Sequence, residues 1–255
     1  MSPHASLKPI IVHGHLMGPN PLKVRMVLEE LEVPFEYREI EWDDMKKAPY
    51  IDINPNGRVP AIEDPNTGLT IFESGPIVEY LAEEYDKDHK LSYATRTEQY
   101  QIKQWIALQI SGQGPYYGQY VWFSVVHPEK FPSAIERYRA EAERVRSVVD
   151  LHLSRQAGEK QGERAADKHI WLVGDKMTIA DLSWFIWEQI INFLMGVNQV
   201  PIPEGKYPHY DAWYKAIEKR PSAQRAIDSR NRGIAKMRAE RTLPGLDNED
   251  GKPEA

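Results

Sequence analysis

The spacing of apolar residues changes near residue 85, and this change most constrains the fold. Before that point, short runs with a two-residue period alternate with stretches in which apolar residues recur every three or four positions. Such alternation is typical of βαβ units. After residue 95 strand patterning does not return. The sequence therefore predicts an α/β domain over 1–85, a polar linker over 86–95 and an all-helical domain over 96–239.

Seven elements are predicted in the first domain, in the order βαβαββα. A strand over 10–13 leads through a Gly-Pro-Asn-Pro turn into a helix with Val24, Val27, Leu28 and Leu31 on one face. A strand over 35–40 and a short irregular helix over 43–53 follow. The segments 59–63 and 69–72 flank a Pro-Asn-Thr-Gly turn, so we expect them to pair as a hairpin. A third helix begins at Ser74.

The second domain is predicted to contain five helices, over 97–126, 132–156, 178–195, 207–219 and 222–239. The third of these begins with Thr178 and has Asp181 three residues later, which is the spacing of a capping box. The Gly-rich and charged segment 158–168 is predicted to be an exposed loop. The acidic residues 240–255 are predicted to be a disordered tail.

The absence of cysteine restricts the chemistry. No cysteine occurs among 255 residues, which excludes a disulfide scaffold, a thiolate zinc site and a protein thiol as nucleophile. There are 38 Asp and Glu against 32 Lys and Arg, a net charge of −6 without a basic block, so we expect no nucleic-acid or membrane partner. The first residues lack a long apolar stretch, so a cytoplasmic protein is expected.

Histidine offers one candidate for a metal site. His13 and His15 lie two residues apart at a predicted strand end, where they could form a zinc pair or a structural pair. The other histidines lack metal-site spacing, and we expect no bound metal. Phosphate-loop, HExxH and GxSxG motifs are also absent from the sequence.

The turn before the first helix is a candidate site for an anion or a thiolate. A helix amino terminus concentrates unpaired backbone N–H groups and partial positive charge. Asn20 adds a neutral side-chain donor at this point. The alternative is that Asn20 is an ordinary turn or cap residue.

Two further segments combine polar groups with a break in regular structure. Pro60 begins a strand-like segment after Arg58 and Val59, and a cis peptide bond there would turn the backbone of Val59 outward toward a ligand. At the start of the third helix, Ser74 and the backbone N–H groups could hold a carboxylate while Glu73 holds an ammonium group. The alternative is that Ser74 is a simple helix cap.

Five segments in this order resemble the cytosolic glutathione transferases. They are the strand–GPN–helix unit, NPNGRVPAI, FESGPI, SGQGPYYGQ and WLVGDKMTIADLSW. The resemblance spans about residues 10 to 230 and is to the fungal branch related to the yeast nitrogen-catabolite regulator. It implies a thioredoxin-like amino-terminal domain that holds glutathione, an all-helical carboxy-terminal domain, and a homodimer.

The resemblance also assigns roles to the candidate residues. Glu73 and Ser74 match the pair that binds the γ-glutamyl ammonium and carboxylate. Val59 matches the residue that pairs with the cysteinyl backbone, with Arg58 before it at the rim. Pro60 matches a cis-proline beside the glutathione backbone.

The resemblance is weaker at two places: the basic residues for the glycyl carboxylate and the residue that contacts the thiol. Lys46 and Lys47 lie where basic residues meet the glycyl carboxylate, and the variable length of this segment leaves the choice between them open. Many classes place Tyr, Ser or Cys at the glutathione thiol, whereas this chain has Met17 and Gly18. Asn20 matches the asparagine that contacts sulfur in the fungal branch, so we assign it the catalytic role.

A second pocket for an apolar electrophile is expected between the two domains. Its predicted lining is Met17, Gln113, Tyr116, Tyr117 and Tyr120, with Trp184 and Phe185 as further candidates. Gly and Pro in the segment GQGPYYG should kink the long helix and open space near the thiol. The alternative for Trp105, Trp122, Trp184 and Trp187 is a place in the core or at a dimer interface.

Three functions are compatible with these features. The first is addition of the glutathione thiolate to an electrophilic small molecule, such as an intermediate of fungal secondary metabolism. The second is glutathione-dependent cis–trans isomerisation of a conjugated alkene by reversible thiol addition. The third is a non-catalytic regulatory protein, which is disfavoured because about nine residues precede the first strand where the regulator has an Asn/Gln-rich extension. A thiol-disulfide oxidoreductase would need a protein cysteine.

Overall fold

A four-stranded sheet forms the first part of the chain in the computed structural model, which describes residues 6–159 and 171–239. The strands β1 (Ile10–Gly14), β2 (Phe35–Glu39), β3 (Ala61–Asp64) and β4 (Leu69–Phe72) have the spatial order β2-β1-β3-β4. β1 pairs in parallel with β2 and antiparallel with β3, and β3 and β4 form the predicted hairpin. β3 begins after Pro60, which has no N–H to donate to a ladder.

Three helices accompany this sheet: α1 (Pro19–Leu31), α2 (Tyr50–Ile53) and α3 (Ser74–Tyr85). Proline in the first turn favours the start of α1, and Glu32 ends it in the left-handed region at φ 58°. The irregular helix expected over 43–53 is a 3₁₀ turn at Trp42–Asp44 followed by the single turn of α2. The observed order matches the predicted thioredoxin-like βαβαββα arrangement, which is therefore confirmed.

The described residues after α3 form helices and no strand. The α-helices are α4 (Arg96–Leu108), α5 (Gly114–Val121), α6 (Pro132–Glu159), α7 (Ile179–Val197), α8 (Pro208–Glu218) and α9 (Pro221–Ala239). The predicted helix over 97–126 is continuous, but it contains π-helical turns at Gln109–Gln113 and Trp122–Val126. Pro115 lacks an N–H, so the regular ladder is interrupted near the first of these turns.

The predicted loop over 158–168 is wrong at its first two residues, because α6 continues through Glu159. The rest of that loop and the predicted tail over 240–255 lie outside the described residues. None of the helices described here combines the length and the apolar character needed to cross a membrane.

The predicted capping box at the start of α7 is confirmed. Asp181 is fully buried and accepts hydrogen bonds from the backbone N–H of Thr178 at 2.7 Å, from that of Leu172 at 3.0 Å and from Trp213 Nε1 at 2.8 Å. Burial raises the pKa of Asp181, and these hydrogen bonds oppose that shift. The box therefore fixes α7 in the interior rather than contacting a ligand.

Helix α1 is covered on several sides, and this arrangement creates the interface between the two halves. It packs against α3 and β1 on one side and against α7 and α9 on another. Glu30 is buried and accepts hydrogen bonds from Arg220 Nε at 2.9 Å and Ser222 Oγ at 2.5 Å. The amino end of α1 consequently lies at the junction of the sheet and the helices.

Candidate functional site

A cavity of about 1120 Å³ lies at this junction. Its polar part includes Asn20, Arg58, Glu73, Ser74 and Gln109. Its apolar walls come from the helical half, chiefly from α5, the π-helical turn after it, α7 and α9; they include Trp122, Val125, Ile190, Phe193 and Ile234. The volume exceeds that of a typical pocket for one small molecule, so two reactants can occupy it together.

Asn20 lies in the first turn of α1 and faces this cavity. The residue that caps α1 is Gly18, and no side chain caps the helix, so the interpretation of Asn20 as a cap is wrong. Trp187 Nε1 donates a hydrogen bond to Asn20 Oδ1 at 3.1 Å. Because that bond engages the amide oxygen, the Nδ2 group of Asn20 keeps its two N–H donors for another acceptor.

Glu73 has an unusual backbone conformation at the start of α3, with φ 71°. A non-glycine residue with positive φ costs about 1–3 kcal/mol, and such residues cluster at functional sites. Asn56 Nδ2 donates to Glu73 Oε1 at 3.3 Å. Glu73 rather than Ser74 occupies the N-cap position, so the cap interpretation of Ser74 is wrong as well.

Ser74 is buried, and its Oγ accepts a hydrogen bond from Lys23 Nζ at 3.0 Å. The same Nζ donates to Gln109 Oε1 at 2.5 Å. Burial lowers the pKa of Lys23 to about 7, and the negative charge of Glu73 acts in the opposite direction. Sequence reasoning missed this lysine, although its place three residues after Asn20 puts both on one helix face.

The peptide bond between Val59 and Pro60 is cis, as expected. The carbonyl oxygen of Arg58 accepts hydrogen bonds from Tyr50 Oη and from Asn54 Nδ2, both at 2.6 Å. These two bonds hold the turn in front of β3, and Arg58 lines the cavity.

The expected pocket lining from α5 and the π-helical turn before it is wrong for four residues. Met17 lines the cavity, whereas Gln113, Tyr116, Tyr117 and Tyr120 do not. The π-helical turn before α5 adds a residue to the helical turn and rotates the following face by about 100°. Gly114, Pro115, Gly118 and Gln119 therefore line the cavity from α5 instead.

The displaced tyrosines have other partners. Tyr116 lies beside Tyr138 and Arg137, and Tyr120 Oη accepts a hydrogen bond from Asn198 Nδ2 at 3.0 Å. Trp184 and Phe185 are fully buried core residues and do not line the cavity. Trp122 and Trp187, for which a core or interface position was an alternative, do line it.

Comparison with known proteins agrees with this geometry. Residues 17–84 match the model of the glutathione S-transferase N-terminal domain, and residues 115–221 match that of the C-terminal domain. The chain belongs to the glutathione S-transferase family. As a member of that family, it is an enzyme that uses glutathione.

Several fungal members of the family are similar along most of their length. The glutathione S-transferase-like protein tpcF of Aspergillus fumigatus is 44% identical over 87% of this chain and 96% of its own. The protein gedE of Aspergillus terreus is 42% identical over 88% of this chain and 97% of its own.

The fold of this transferase matches that of solved Ure2p-type relatives. The crystal structure of glutathione transferase URE2P8 from Phanerochaete chrysosporium with oxidized glutathione superposes with a TM-score of 0.78 and 36% identity. It covers 91% of this chain and 99% of the other. The fungal, Ure2-related branch predicted for the transferase is therefore confirmed.

The basic residues of this transferase differ from the sequence expectation. Lys46 and Lys47 are exposed and do not line the cavity, and Lys47 Nζ lies 3.3 Å from Asp44 Oδ1. The cations that line the cavity are Arg58, Arg230 and Lys236. The described residues contain no group of three or more His, Cys, Asp or Glu that could hold a metal ion.

A buried hydrogen-bond network lies behind the cavity of the transferase. Gln109 Nε2 donates to Gln113 Oε1 at 3.1 Å, and Gln113 Nε2 donates to Glu188 Oε1 at 2.9 Å. Glu188 is fully buried and pairs with Arg146 at 2.8 Å. Gln113 therefore connects the rear of the cavity to an ion pair in the helical core.

Proposed function

We propose that this transferase ionises the thiol of glutathione at the amino end of α1 and adds the thiolate to an electrophilic carbon of an apolar molecule. The observation that carries the proposal is Asn20, which presents an amide donor to the cavity opposite walls of aromatic and aliphatic side chains. In the reaction the thiol proton leaves to solvent, the sulfur lone pair forms the new S–C bond, and the electrophile takes up the displaced electron pair.

Glutathione would be held by its polar ends. Glu73 is proposed to bind the γ-glutamyl ammonium group, and Ser74 with the first N–H groups of α3 is proposed to bind the α-carboxylate. The backbone of Val59, beside Pro60, is proposed to pair with the cysteinyl residue. Arg58 lines the cavity and is proposed to supply positive charge at its rim.

Asn20 can lower the pKa of the glutathione thiol enough to increase the ionised fraction about tenfold. A free thiol has a pKa of about 8.5 and is only a few per cent ionised at neutral pH. A hydrogen bond to a charged group contributes about 1.5–3 kcal/mol, which corresponds to about one to two pKa units. The partial positive charge at the start of α1 adds to this effect.

The test of the proposed function is a titration of bound glutathione by its ultraviolet thiolate absorbance. We expect the wild-type protein to lower the pKa of the thiol well below its free value. Binding without such a shift would contradict catalysis and support the non-catalytic regulatory function. Absence of binding would contradict both.

The electrophile is proposed to be an aromatic or conjugated intermediate of secondary metabolism, because aromatic side chains line the apolar part of the cavity. The same thiolate also supports cis–trans isomerisation, in which it adds to a conjugated alkene and leaves after rotation about the single bond. Mass spectrometry of the products separates a conjugate from an isomer with unchanged mass. The division at residues 86–95 stays a proposal that rests on the polar composition of that segment, and the homodimer stays a proposal drawn from the family.

Trp187 is proposed to act through Asn20 as a positioning residue. Replacing Trp187 by Phe keeps an aromatic ring but removes the Nε1 donor that binds Asn20 Oδ1. We expect the pKa of the bound thiol to rise by up to about one unit, since a neutral hydrogen bond contributes about 0.5–1.5 kcal/mol. The ultraviolet titration measures this change.

Trp105→Phe provides a matched control for that variant. Trp105 is buried outside the cavity lining, and its Nε1 has no hydrogen-bond partner among the described residues. The same change of side chain should therefore leave the pKa of the bound thiol unaltered. Equal thiol pKa values in Trp187→Phe and in wild type would contradict the positioning role.

A further inference from the structure

Lys23 places its amino group in the interior of the transferase without an anionic hydrogen-bond partner. Its side chain is fully buried, and both acceptors of its hydrogen bonds, Ser74 Oγ and Gln109 Oε1, are neutral. A buried charge normally requires an opposite charge, since desolvation costs several kcal/mol. A neutral side chain would be enough to link α1 to α3 and to the π-helical turn that contains Gln109.

The position of Lys23 indicates where that opposite charge comes from. Ser74 and Gln109, its two partners, both line the cavity. Ser74 Oγ accepts from Lys23, so the hydroxyl proton of Ser74 is available to donate in the direction of a bound anion. A carboxylate at the start of α3 would then be linked to the ammonium group through a single hydroxyl, in a polarised hydrogen-bond chain.

We propose that Lys23 is the buried counter-charge of the γ-glutamyl α-carboxylate, so that the enzyme takes up a proton when it binds glutathione. This inference rests on the proposed binding of glutathione at Glu73 and Ser74. It gives Lys23 a positioning role, because the side chain acts on the carboxylate through Ser74.

The charged groups around Lys23 do not already supply a paired anion, so a bound carboxylate can take that role. Among the described residues, Glu73 at the N-cap of α3 is the charged group whose field raises the pKa of Lys23, and burial outweighs it. Glu188 on α7 lies beyond Gln109 and Gln113 and is already paired with Arg146. Binding of the ammonium group of glutathione to Glu73 would neutralise Glu73, and the α-carboxylate would take over as the anion near Lys23.

The sign of the pH effect follows from linkage. In the free enzyme the pKa of Lys23 is about 7, so the side chain is mostly neutral at pH 8. A nearby carboxylate favours the charged form and raises this pKa in the complex. Between the two pKa values each bound molecule takes up close to one proton, and the dissociation constant rises about tenfold per pH unit.

The experiment is calorimetric titration with S-methylglutathione at pH 8 in two buffers that differ in ionisation enthalpy. This probe has no ionisable thiol, so proton release from sulfur does not contribute. We expect wild type to take up close to one proton more per bound molecule than Lys23→Met, which retains a long side chain, because the amino group of the probe contributes equally to both. The dissociation constant of the variant should be larger at pH 6.5 and nearly independent of pH between 6.5 and 8.

Lys103→Met is the matched control. Lys103 is an exposed lysine on α4 whose Nζ lies 3.4 Å from Glu83 Oε1, and it receives the same substitution. Proton uptake should stay at the wild-type value in this variant. A loss of uptake in Lys103→Met equal to that in Lys23→Met would overturn the assignment to Lys23.

A second probe needs no variant and decides the question if Lys23→Met fails to fold. The S-methyl derivative of 4-aminobutyryl-cysteinyl-glycine lacks the α-carboxylate but is otherwise the same peptide. Wild type should bind it more weakly and without proton uptake. Equal uptake with both probes, or binding of S-methylglutathione without uptake, would overturn the inference and leave the proposed function standing. Failure to bind S-methylglutathione at any pH from 6 to 8 would overturn the proposed function itself.

Discussion

Replacing Asn20 by Ala is expected to raise the pKa of the bound glutathione thiol by about one to two units. The substitution removes the Nδ2 donor that faces the cavity and leaves the start of α1 intact. Glutathione should still bind, because its proposed contacts at Glu73 and Ser74 are unchanged. Some lowering of the pKa should persist, since the helix terminus still supplies partial positive charge.

The pH profile of the reaction provides the sharpest measurement of this effect. Below the thiol pKa of wild type, kcat of Asn20→Ala should be about tenfold or more lower, because the thiolate fraction falls by that factor. Above the pKa of the variant the two rates should converge. A constant ratio at all pH values would mean that Asn20 acts on something other than ionisation.

Gln119→Ala is a suitable control for the loss of a cavity amide. Gln119 lines the cavity from α5, whereas Asn20 lines it from α1. We expect KM for the electrophile to change in this variant while the thiol pKa stays at the wild-type value. An unchanged thiol pKa in Asn20→Ala would remove the role assigned to Asn20.

Replacing Arg146 by Ala is expected to lower the free energy of unfolding at pH 7 by about 3–5 kcal/mol. Glu188 is fully buried, and its two carboxylate oxygens accept hydrogen bonds from Gln113, Tyr117, Arg146 and Tyr210. Without the guanidinium group, the buried carboxylate has no compensating positive charge. Urea denaturation followed by circular dichroism measures the loss.

Two further variants separate the buried charge from other effects of the substitution. Arg144→Ala removes an arginine from the same helix, where it pairs at 2.8 Å with Glu141 and is 57% exposed. That variant should lose no more than about 1 kcal/mol. Adding Glu188→Leu to an Arg146→Met background should recover part of the stability, since no buried charge is then left unpaired. A decrease of less than about 1 kcal/mol in the free energy of unfolding of Arg146→Ala would contradict the role of Arg146 as the counter-charge of Glu188.

The arrangement of strands and helices follows from local patterns that the sequence displays directly. β1 and α1 have distinct periods, and the capping box at Thr178 and Asp181 needs only residues that are adjacent in the chain. Asn20 was identified for a similar reason, because a helix start is a local feature. Its bond to Trp187 joins residues 167 positions apart, which no local pattern reveals.

The lining of the apolar pocket could not be predicted for a different physical reason. Assignment of a helical residue to one face assumes a constant 3.6-residue turn, and the π-helical turn at Gln109–Gln113 breaks that assumption. Tyr117 and Tyr120, which the sequence analysis expects in the lining, are fully buried outside it. Lys23 was missed because α1 is covered on more sides than one amphipathic stripe allows, so a charged residue on it is also buried.

The coverage of α1 from both halves bears on how such enzymes can diversify. Leu22, Met26 and Leu28 are fully buried, and α1 packs against α7 and α9 as well as against its own sheet. Recombination that exchanges the helical half between two relatives would therefore also replace the surface on which α1 rests. New substrate specificities in this family should therefore arise by substitutions that preserve the contacts of α1 with α7 and α9. Chimaeras should fold only when α1, α7 and α9 come from the same parent.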